Sequence, residues 1–346
     1  MNDIHIISQE KTLIDALKII SSMGSGPLVL FVVDAERKMV GTLTDGDVRR
    51  ALIRGVKVTD KICDAMHREF NFLRKGISDD VDNIRKQRDL KMKLVPILDE
   101  QNCIAEIINL EEYRTKLPVD AVLMAGGKGE RLRPLTEKTP KPLIRVGDKC
   151  IIDYNVDSLI YYGIKHISVT VNYLGEQLEE HFSVERNGIK INTVREPKYL
   201  GTIGSIKFVE TFYNDTILVM NSDLFTNIDY EDFFSHFKLH NADMSVAAVP
   251  YVVKVPYGVF NLEGREIKGV TEKPTISYYA NAGIYLIKKD RLNLIPENEF
   301  FNATDFMDKL ISNGFKVIRY PISGYWIDIG QHDELARARE IAKHIG

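Results

Sequence analysis

The chain has 346 residues, of which 44% are hydrophobic and 27% charged, a composition typical of a globular protein with room for two domains. Its formal net charge is −3, so no global positive field would draw it to nucleic acid or an acidic membrane. The three cysteines, Cys63, Cys103 and Cys150, are far apart and form no CxxC pair. This spacing argues against a disulfide framework and against a cysteine-based zinc site.

The N-terminal segment MNDIHIISQEK has no basic region followed by an apolar stretch, as a signal peptide would. No apolar run approaches the roughly 20 residues of a membrane-spanning helix. By elimination, we expect a cytoplasmic protein with neither a membrane nor a nucleic acid as its partner.

The first periodic segment contains two helices and two strands. Residues 12–23 carry apolar side chains at helical spacing, and the apolar runs 27–33 and 39–43 predict strands separated by a turn. Thr44 is placed as the N-cap of a helix over 45–54.

A weaker copy of this pattern follows. It predicts a helix over 79–87, strands over 93–98 and 104–108, and a short helix that begins at Glu111. Two tandem copies form an internal repeat, and each is too small to bury a core alone. We therefore expect the copies to pack against each other.

The segment GTLTDGDVRRAL, residues 41–52, resembles the end of a CBS motif, and the tandem repeat resembles a CBS-domain pair. In that family a Thr/Ser-x-x-Asp element binds the ribose of an adenine nucleotide, and Thr44 and Asp47 match it. The second copy has Ile108 and Glu111 at these positions, so one site is expected. The resemblance implies an adenine nucleotide as regulator and a homo-oligomer formed through the pair. Alternatively, Thr44 is only a helix cap and Asp47 an acid favoured by the helix dipole.

A polar segment containing Pro118 separates the repeat from the rest of the chain, which predicts domains over 1–116 and 117–346. Beyond it, predicted strands and helices alternate: strands over 119–124, 166–171 and 216–220, and helices over 152–162, 174–182 and 230–240. The pattern predicts an α/β, Rossmann-like fold with a mixed, mostly parallel sheet and helices on both faces. Ligands of such folds bind at the carboxyl ends of the strands.

A glycine-rich loop follows the first strand of this second domain. Gly126, Gly127 and Gly129 allow close backbone approach to a ligand, and Arg131 and Arg133 add cations suited to phosphate. The loop matches neither the dinucleotide-binding GxGxxG pattern nor the P-loop. A simple glycine turn is the alternative.

The loop closely resembles GGxGxRLxPLT, the signature of the sugar-nucleotide pyrophosphorylases, and the family's Pro-Lys-Pro-Leu follows at 140–143. The match runs in order from Ala125 to Leu143. By this resemblance Ala125 and the three glycines, Gly126, Gly127 and Gly129, lie against the nucleotide. Arg131 would hold the leaving pyrophosphate, and Lys141 would reach the α-phosphate.

Two acidic residues lie at the ends of predicted strands. An isolated buried carboxylate is costly, and a hard metal ion at Asp223 would compensate for it. Asp223 and Asp328, the latter within Trp326-Ile-Asp-Ile-Gly330, match the two Mg²⁺ ligands of the resembled family. Turn residues for the acids and core packing for Trp326 are the alternatives.

Later segments match the family in order. Residues 196–205, EPKYLGTIGS, resemble its ExxxLGTxGx segment and imply that Gly201, Thr202 and Gly204 approach the base. The residues implied to bind the sugar phosphate are Gly258, Glu272, Lys273, Asn281 and Gly283. The alternatives are a capping turn for Thr202 and a charged turn for Glu272-Lys273-Pro274.

Together the motifs predict a Mg²⁺-dependent transfer of a nucleoside monophosphate to a sugar 1-phosphate, with release of pyrophosphate. The fusion of a CBS pair to this catalytic domain resembles enzymes of the legionaminic-acid type pathways, which implies GTP and glucosamine 1-phosphate or a related hexose 1-phosphate. A UTP- or CTP-dependent transferase and a non-catalytic nucleotide-sensing regulator are the alternatives.

Overall fold

The computed structural model describes residues 3–24 and 26–344, and the chain divides into two compact units, Met1–Leu117 and Pro118–Gly346. Each unit has its own buried core. In the part of the chain that the structure describes, no helix is both long and apolar enough to cross a membrane.

The first half of the N-terminal unit is a three-stranded sheet with two helices. Its elements are β1 (Ile6–Ser8), α1 (Leu13–Ser22), β2 (Val29–Val33), β3 (Met39–Thr44) and α2 (Asp45–Ile53). In the sheet, β1 runs parallel to β2, and β2 pairs with β3 as an antiparallel hairpin. Both helices begin with a Thr-x-x-Asp capping box, because the threonine hydroxyl and the aspartate together satisfy backbone donors of the first turn.

The second half repeats this topology. Its elements are β4 (Leu73–Arg74), α3 (Val81–Asp89), β5 (Leu94–Leu98) and β6 (Ile104–Asn109), again with a parallel and an antiparallel pair. The helix predicted to begin at Glu111 is wrong, since a turn follows β6. The Asn109 side chain accepts a hydrogen bond from the Glu111 amide at 3.0 Å, and this turn competes with helix formation.

The two halves of the N-terminal unit share apolar contacts. Phe31 and Met39 of the first sheet belong to one buried cluster with Leu94 and Leu98 of the second. The Met39 amide also donates to the Asn102 carbonyl at 2.9 Å. The repeat therefore gains a common core that neither half has alone.

The C-terminal unit is an α/β domain. Its strands are β7 (Asp120–Ala125), β8 (Arg145–Val146), β9 (Lys149–Cys150), β10 (His166–Val171), β11 (Ile191–Arg195), β12 (Thr216–Asn221), β13 (Leu224–Thr226), β14 (Met244–Lys254), β15 (Val259–Glu263), β16 (Glu266–Thr271), β17 (Thr275–Lys288), β18 (Val317–Pro321) and β19 (Trp326–Asp328). Its helices are α4 (Ile151–Tyr161), α5 (Gly175–His181), α6 (Tyr230–Leu239), α7 (Ala303–Ser312) and α8 (His332–Ala342), with short 3-10 helices between them.

The central sheet has the strand order β11-β10-β7-β12-β17-β14-β18. Strand β17 runs antiparallel to both of its neighbours, whereas the other adjacent strands are parallel. The predicted mixed, mostly parallel sheet is confirmed.

Helices cover both faces of this sheet. On one face, Val219 of β12 packs in a cluster with Phe306 and Leu310 of α7. Met220, the next residue of β12, points to the opposite face, where its sulfur accepts a hydrogen bond from the Tyr230 hydroxyl of α6 at 3.5 Å. The sheet is consequently buried on both sides, as its near-continuous apolar strands require.

Strands β14 and β17 continue beyond the sheet as a two-stranded ladder and lead into the hairpin of β15 and β16. We call residues 250–279 the arm. Its apolar side chains are largely exposed, for example Phe260 at 55% and Val270 at 57%. These two residues are paired across the hairpin and so lie on the same face of it.

Candidate active site

The glycine loop and the first predicted metal ligand lie beside each other at the carboxyl ends of two neighbouring strands of the central sheet. Strands β7 and β12 are parallel neighbours, and Met124 pairs with Asn221 near their carboxyl ends. The chain leaves β7 as the loop from Gly126 to Gly129 and leaves β12 at Ser222 and Asp223. The carboxyl ends of the strands are the place where a parallel sheet binds its ligand.

A pocket of about 610 Å³ opens at the carboxyl ends of these strands. Of the residues predicted to contact the nucleotide, all except Gly204 line the pocket. Three of the four predicted catalytic residues do so too, which gives Ala125, Gly126, Gly127, Gly129, Gly201, Thr202, Arg131, Lys141 and Asp223. The volume suits a ligand of nucleotide size.

Lys141 joins the two predicted metal ligands. Its ammonium group contacts Asp223 Oδ2 and lies 3.7 Å from Asp328 Oδ1. The acids are more than a hundred residues apart in the chain, but β13 pairs with β19 so that Leu224 is opposite Asp328. The Ile329 amide also donates to the Asp223 carbonyl at 3.1 Å. The short ladder thus brings both carboxylates to Lys141.

The two acids fit a divalent cation. Within residues 3–24 and 26–344, Asp223 Oδ1 and Asp328 Oδ1 are buried without a hydrogen-bond partner. Burial raises the pKa of Asp328, and the charge of Asp223 adds to this effect while Lys141 and Arg131 oppose it. Those same residues contain no group of three or more potential ligands from His, Cys, Asp and Glu. Two carboxylates suit Mg²⁺, which commonly completes its coordination with substrate phosphate and water.

Arg131 lies against the backbone of Gly330, next to Asp328. A β-carbon built on Gly330 would be 3.1 Å from a terminal nitrogen of Arg131, so a larger residue would crowd the guanidinium group. Arg131 also lines the pocket. The glycine that ends the Trp326–Gly330 motif therefore provides the space in which the arginine lies.

Trp326 is half-buried and has a hydrogen-bonding role rather than a place in the core. Its indole nitrogen donates to the Ala282 carbonyl at 2.9 Å, so it ties β19 to β17. Trp326 belongs to the same short strand, β19, as Asp328.

Glu196 is a site residue that the sequence analysis did not select. It lines the pocket, it is only 4% exposed, and its Oε2 accepts a hydrogen bond from the Leu200 amide at 3.2 Å. Burial raises its pKa to about 7, although the Leu200 hydrogen bond acts in the opposite direction. Glu196 follows strand β11 and is the first residue of the matched ExxxLGTxGx motif, four residues before Leu200, and that position was a detectable signal.

The Glu196 carboxylate and Gly126 are packed closely. A β-carbon built on Gly126 would overlap Glu196 Oε1, whereas one built on Gly127 would have no neighbour within 4 Å among the described residues. Gly126 therefore allows the carboxylate to approach the loop.

Thr202 is also a capping residue. Its hydroxyl accepts a hydrogen bond from the amide of Ala303, the first residue of α7, at 2.9 Å. Gly201 has a φ of +80°, and a β-carbon there would be 2.6 Å from the Phe301 carbonyl oxygen. The LGT segment thus supports α7 while its residues line the pocket.

The residues predicted to bind the sugar phosphate are outside this pocket. Gly258, Glu272 and Lys273 lie on the arm, where all three are exposed. Gly258 and Glu272 are neighbours, since a β-carbon on the glycine would be 3.0 Å from Glu272 Oε2.

Asn281 and Gly283 lie nearer the pocket. The Asn281 side chain donates to the Tyr285 hydroxyl and accepts from the Gly283 amide, both at 2.9 Å. Gly283 leaves room for Asn221, which lines the pocket. These two residues therefore connect the middle of β17 to the nucleotide pocket.

In the N-terminal unit, Thr44 and Asp47 are bonded to each other. The Thr44 hydroxyl and amide donate to Asp47 Oδ2 at 2.6 and 2.8 Å, and Arg50 donates to Asp47 Oδ1 at 2.6 Å. Although burial acts to raise it, the pKa of Asp47 is lowered by these hydrogen bonds. The capping role alone accounts for both side chains, and nucleotide binding there stays a prediction.

The C-terminal unit matches known proteins. A sequence model of the nucleotidyl transferase family covers residues 120–344, more than half of the chain. A putative mannose-1-phosphate guanyltransferase of Sulfolobus acidocaldarius is 31% identical over 216 residues, which are 61% of this chain and 60% of that protein. The mannose-1-phosphate guanyltransferase of Yarrowia lipolytica is 32% identical over 225 residues, again 61% and 60%. The chain spans about 60% of the length of these curated relatives.

Solved structures match the same region. A putative glucose-1-phosphate thymidylyltransferase from Bacillus anthracis, in complex with a sucrose, has a TM-score of 0.52 and 27% identity over 66% of this chain and 96% of its own. HddC from Yersinia pseudotuberculosis, complexed with GMP-PN, has a TM-score of 0.50 and 22% identity over 64% and 99%. The second likeness shows the fold alone.

Proposed function

The chain belongs to the nucleotidyl transferase family, and we propose that it transfers a nucleoside monophosphate to a sugar 1-phosphate with release of pyrophosphate. The observation that carries this proposal is the buried Lys141 between Asp223 and Asp328, beside the glycine loop. The oxygen of a phosphate monoester is already a competent nucleophile, so attack on the α-phosphorus needs no general base. Catalysis then depends on position and on neutralisation of charge.

The residues of the site have separate roles in this reaction. Lys141 stabilises charge on the α-phosphate, and Arg131 binds the leaving pyrophosphate. The amides of the glycine loop hold the triphosphate. Asp223 and Asp328 would hold Mg²⁺, which supplies further charge neutralisation on the phosphates when bound.

GTP is our proposed nucleotide. Guanine presents two donors on one edge, its N1–H and 2-amino groups, which the ionised Glu196 carboxylate can accept together. The names of the curated relatives support a guanylyltransferase at about 30% identity. Because the pKa of Glu196 is about 7, the ionised form that binds guanine is favoured above neutral pH.

The proposed sugar substrate is a hexose 1-phosphate. Glucosamine 1-phosphate is the substrate that the sequence predicts, and its ammonium group suits the Glu272 carboxylate, while Lys273 suits the phosphate. The relatives are named for mannose 1-phosphate, so a comparison of glucosamine and mannose 1-phosphates as substrates tests this choice.

The decisive experiment is a matrix of four triphosphates, GTP, UTP, CTP and ATP, against glucosamine, mannose and glucose 1-phosphates, with pyrophosphate release as the readout. We expect release with GTP and one of the hexose phosphates. Turnover with UTP or CTP in place of GTP would assign the alternative base, and no release with any pair would leave the nucleotide-sensing regulator.

For the N-terminal unit we propose, from its resemblance to a CBS pair, that an adenine nucleotide binds near Thr44 and Asp47. Calorimetric titration of AMP and ATP into the full chain tests this. Binding that Asp47→Ala removes would support it, whereas the absence of any heat would leave the capping role and a homo-oligomer as the remaining proposal for the unit.

A further inference from the structure

Ser205 has a buried hydroxyl group with no evident structural purpose. The residue is 1% exposed and lines the nucleotide pocket, at the second position of the 3-10 helix Gly204–Phe208. Within the described residues its Oγ has no hydrogen-bond partner. A hydroxyl that is withdrawn from water without a partner costs free energy.

The fold around Ser205 does not need the hydroxyl. The flanking residues Ile203 and Ile206 are buried in the apolar core, and the helix is held by its backbone, with the Gly204 amide donating to the Phe301 carbonyl at 3.2 Å. An alanine would fill the same place. Because the unpartnered group also belongs to a residue that lines the pocket, a ligand in the pocket would explain it.

A second buried serine of the pocket shows the contrast. Ser222 is 3% exposed, and its hydroxyl donates to the Met124 carbonyl at 2.7 Å. That hydrogen bond links the ends of β7 and β12 and leaves the hydroxyl satisfied by the protein. Ser205 lines the same pocket, but its hydroxyl has no such partner among the described residues.

Ser205 lies on the segment that carries Glu196. The Leu200 amide donates to Glu196, and a β-carbon on Gly204 would be 3.1 Å from the Leu200 β-carbon, so the turn brings the start of the 3-10 helix against the segment of the carboxylate. Arg131 and Lys141, the cations proposed for the phosphates, belong to a different segment of the pocket lining, the one that follows β7. A carboxylate suits the hydrogen-bond donors of a base, so the segment of Glu196 and Ser205 is the candidate for contact with the base.

We propose that the Ser205 hydroxyl donates a hydrogen bond to an acceptor on the base of the bound nucleotide and so contributes to base selection. This inference rests on the proposed GTP site. A carboxylate can accept from the N1–H and 2-amino groups of guanine but cannot serve its acceptors, O6 and N3. A serine hydroxyl supplies the missing donor.

The test compares Ser205→Ala with Ser245→Ala in the full chain. Ser245 is a matched control, because its hydroxyl is 0% exposed and has no partner among the residues described, yet it lies outside the pocket. Melting without ligand, the melting shift with GTP, and kcat and KM for GTP are measured for both variants.

We expect neither substitution to lower the melting temperature without ligand. Ser205→Ala should raise the KM for GTP about tenfold with kcat within about twofold, and reduce the GTP melting shift, since one hydrogen bond is lost. Ser245→Ala should leave both unchanged. An unchanged KM and melting shift in Ser205→Ala would overturn the inference.

Two further measurements distinguish this inference from a contact with the ribose and from the proposed reaction itself. The effect of Ser205→Ala should persist with 2′-deoxy-GTP; if it disappears, the hydroxyl contacts the ribose and the inference is wrong. Wild-type protein that binds GTP in a Ser205-dependent way without releasing pyrophosphate would overturn the proposed reaction but keep the inference. If the protein turns over GTP and Ser205→Ala does not affect the KM, the proposed reaction is kept and the inference is wrong.

Discussion

The nucleotide pocket and the arm of the C-terminal unit are built in different ways. In the pocket, Gly126, Lys141 and Glu196 are buried and held by elements of the central sheet. On the arm, Glu272 and Lys273 project from a two-stranded ladder into solvent. Both sets were predicted from one ordered series of motifs, yet only the first converges on a pocket.

The difference shows what a parallel sheet contributes to a site. The strands β7 and β12 are fixed by neighbours on both sides, so the loops at their ends have defined positions. A two-stranded ladder has no such support and is weakly stable by itself. We therefore expect changes at the pocket to affect catalysis, and folding as well where the side chains are closely packed, and changes on the arm to affect only the use of the sugar.

The largest effect is expected for Asp223→Asn. The substitution keeps the shape but removes the charge opposite Lys141 and one proposed Mg²⁺ ligand, so kcat should fall about a thousandfold or more. Pyrophosphate release measures it, and the melting temperature checks that the variant is folded. Asp308→Asn, at an exposed position of α7, should keep full activity. Activity within tenfold of wild type would remove Asp223 from the catalytic group.

Glu196→Gln should change how stability depends on pH. The pKa of Glu196 is raised from 4.5 to about 7 by burial, so between these values the folded protein retains a proton that the unfolded chain has released. The free energy of unfolding of the wild type should consequently fall as pH rises towards 7, by on the order of 3 kcal/mol, and the Gln variant should lack this component. Urea unfolding of both proteins at pH 5, 6, 7 and 8 measures the difference. Parallel curves would show that Glu196 is ionised throughout.

Gly126→Ala and Gly127→Ala sharpen the comparison within the pocket. The new methyl group at Gly126 would overlap the buried Glu196 carboxylate, so unfolding should become easier by about 1–3 kcal/mol, as for an overpacked core. At Gly127 the methyl group would have no neighbour within 4 Å in the described structure, and stability should be unchanged. Thermal melting without ligand tests the pair. Equal stability of the two variants would contradict the close packing of the loop on Glu196.

The smallest effect is expected on the arm. Glu272→Ala should raise the KM for the sugar 1-phosphate about tenfold by loss of hydrogen bonds, while the KM for GTP and the melting temperature remain as in the wild type. Glu266→Ala removes another exposed acid of the arm and is the matched control. If Glu272→Ala changes the KM for GTP instead, or neither KM, the assignment of the arm to the sugar is wrong.

Local sequence determined much of this protein. The alternation of strands and helices, the repeat in the N-terminal unit and the position of Asp223 after a buried strand all follow from patterns of a few residues. The helix expected at Glu111 failed for a local reason that was also readable, because Asn109 favours a turn.

Contacts between distant segments required the tertiary structure. The pairing of β13 with β19 brings Asp328 to Asp223, and the short range of sequence patterns cannot reveal such a ladder. The place of Glu196 beside Gly126, and the unpartnered hydroxyl of Ser205, depend on how β11 and the segment after it meet the glycine loop. Residue types and order therefore fixed which chemical groups are available, while the sheet decided which of them meet, because burial and distance are properties of the packed chain.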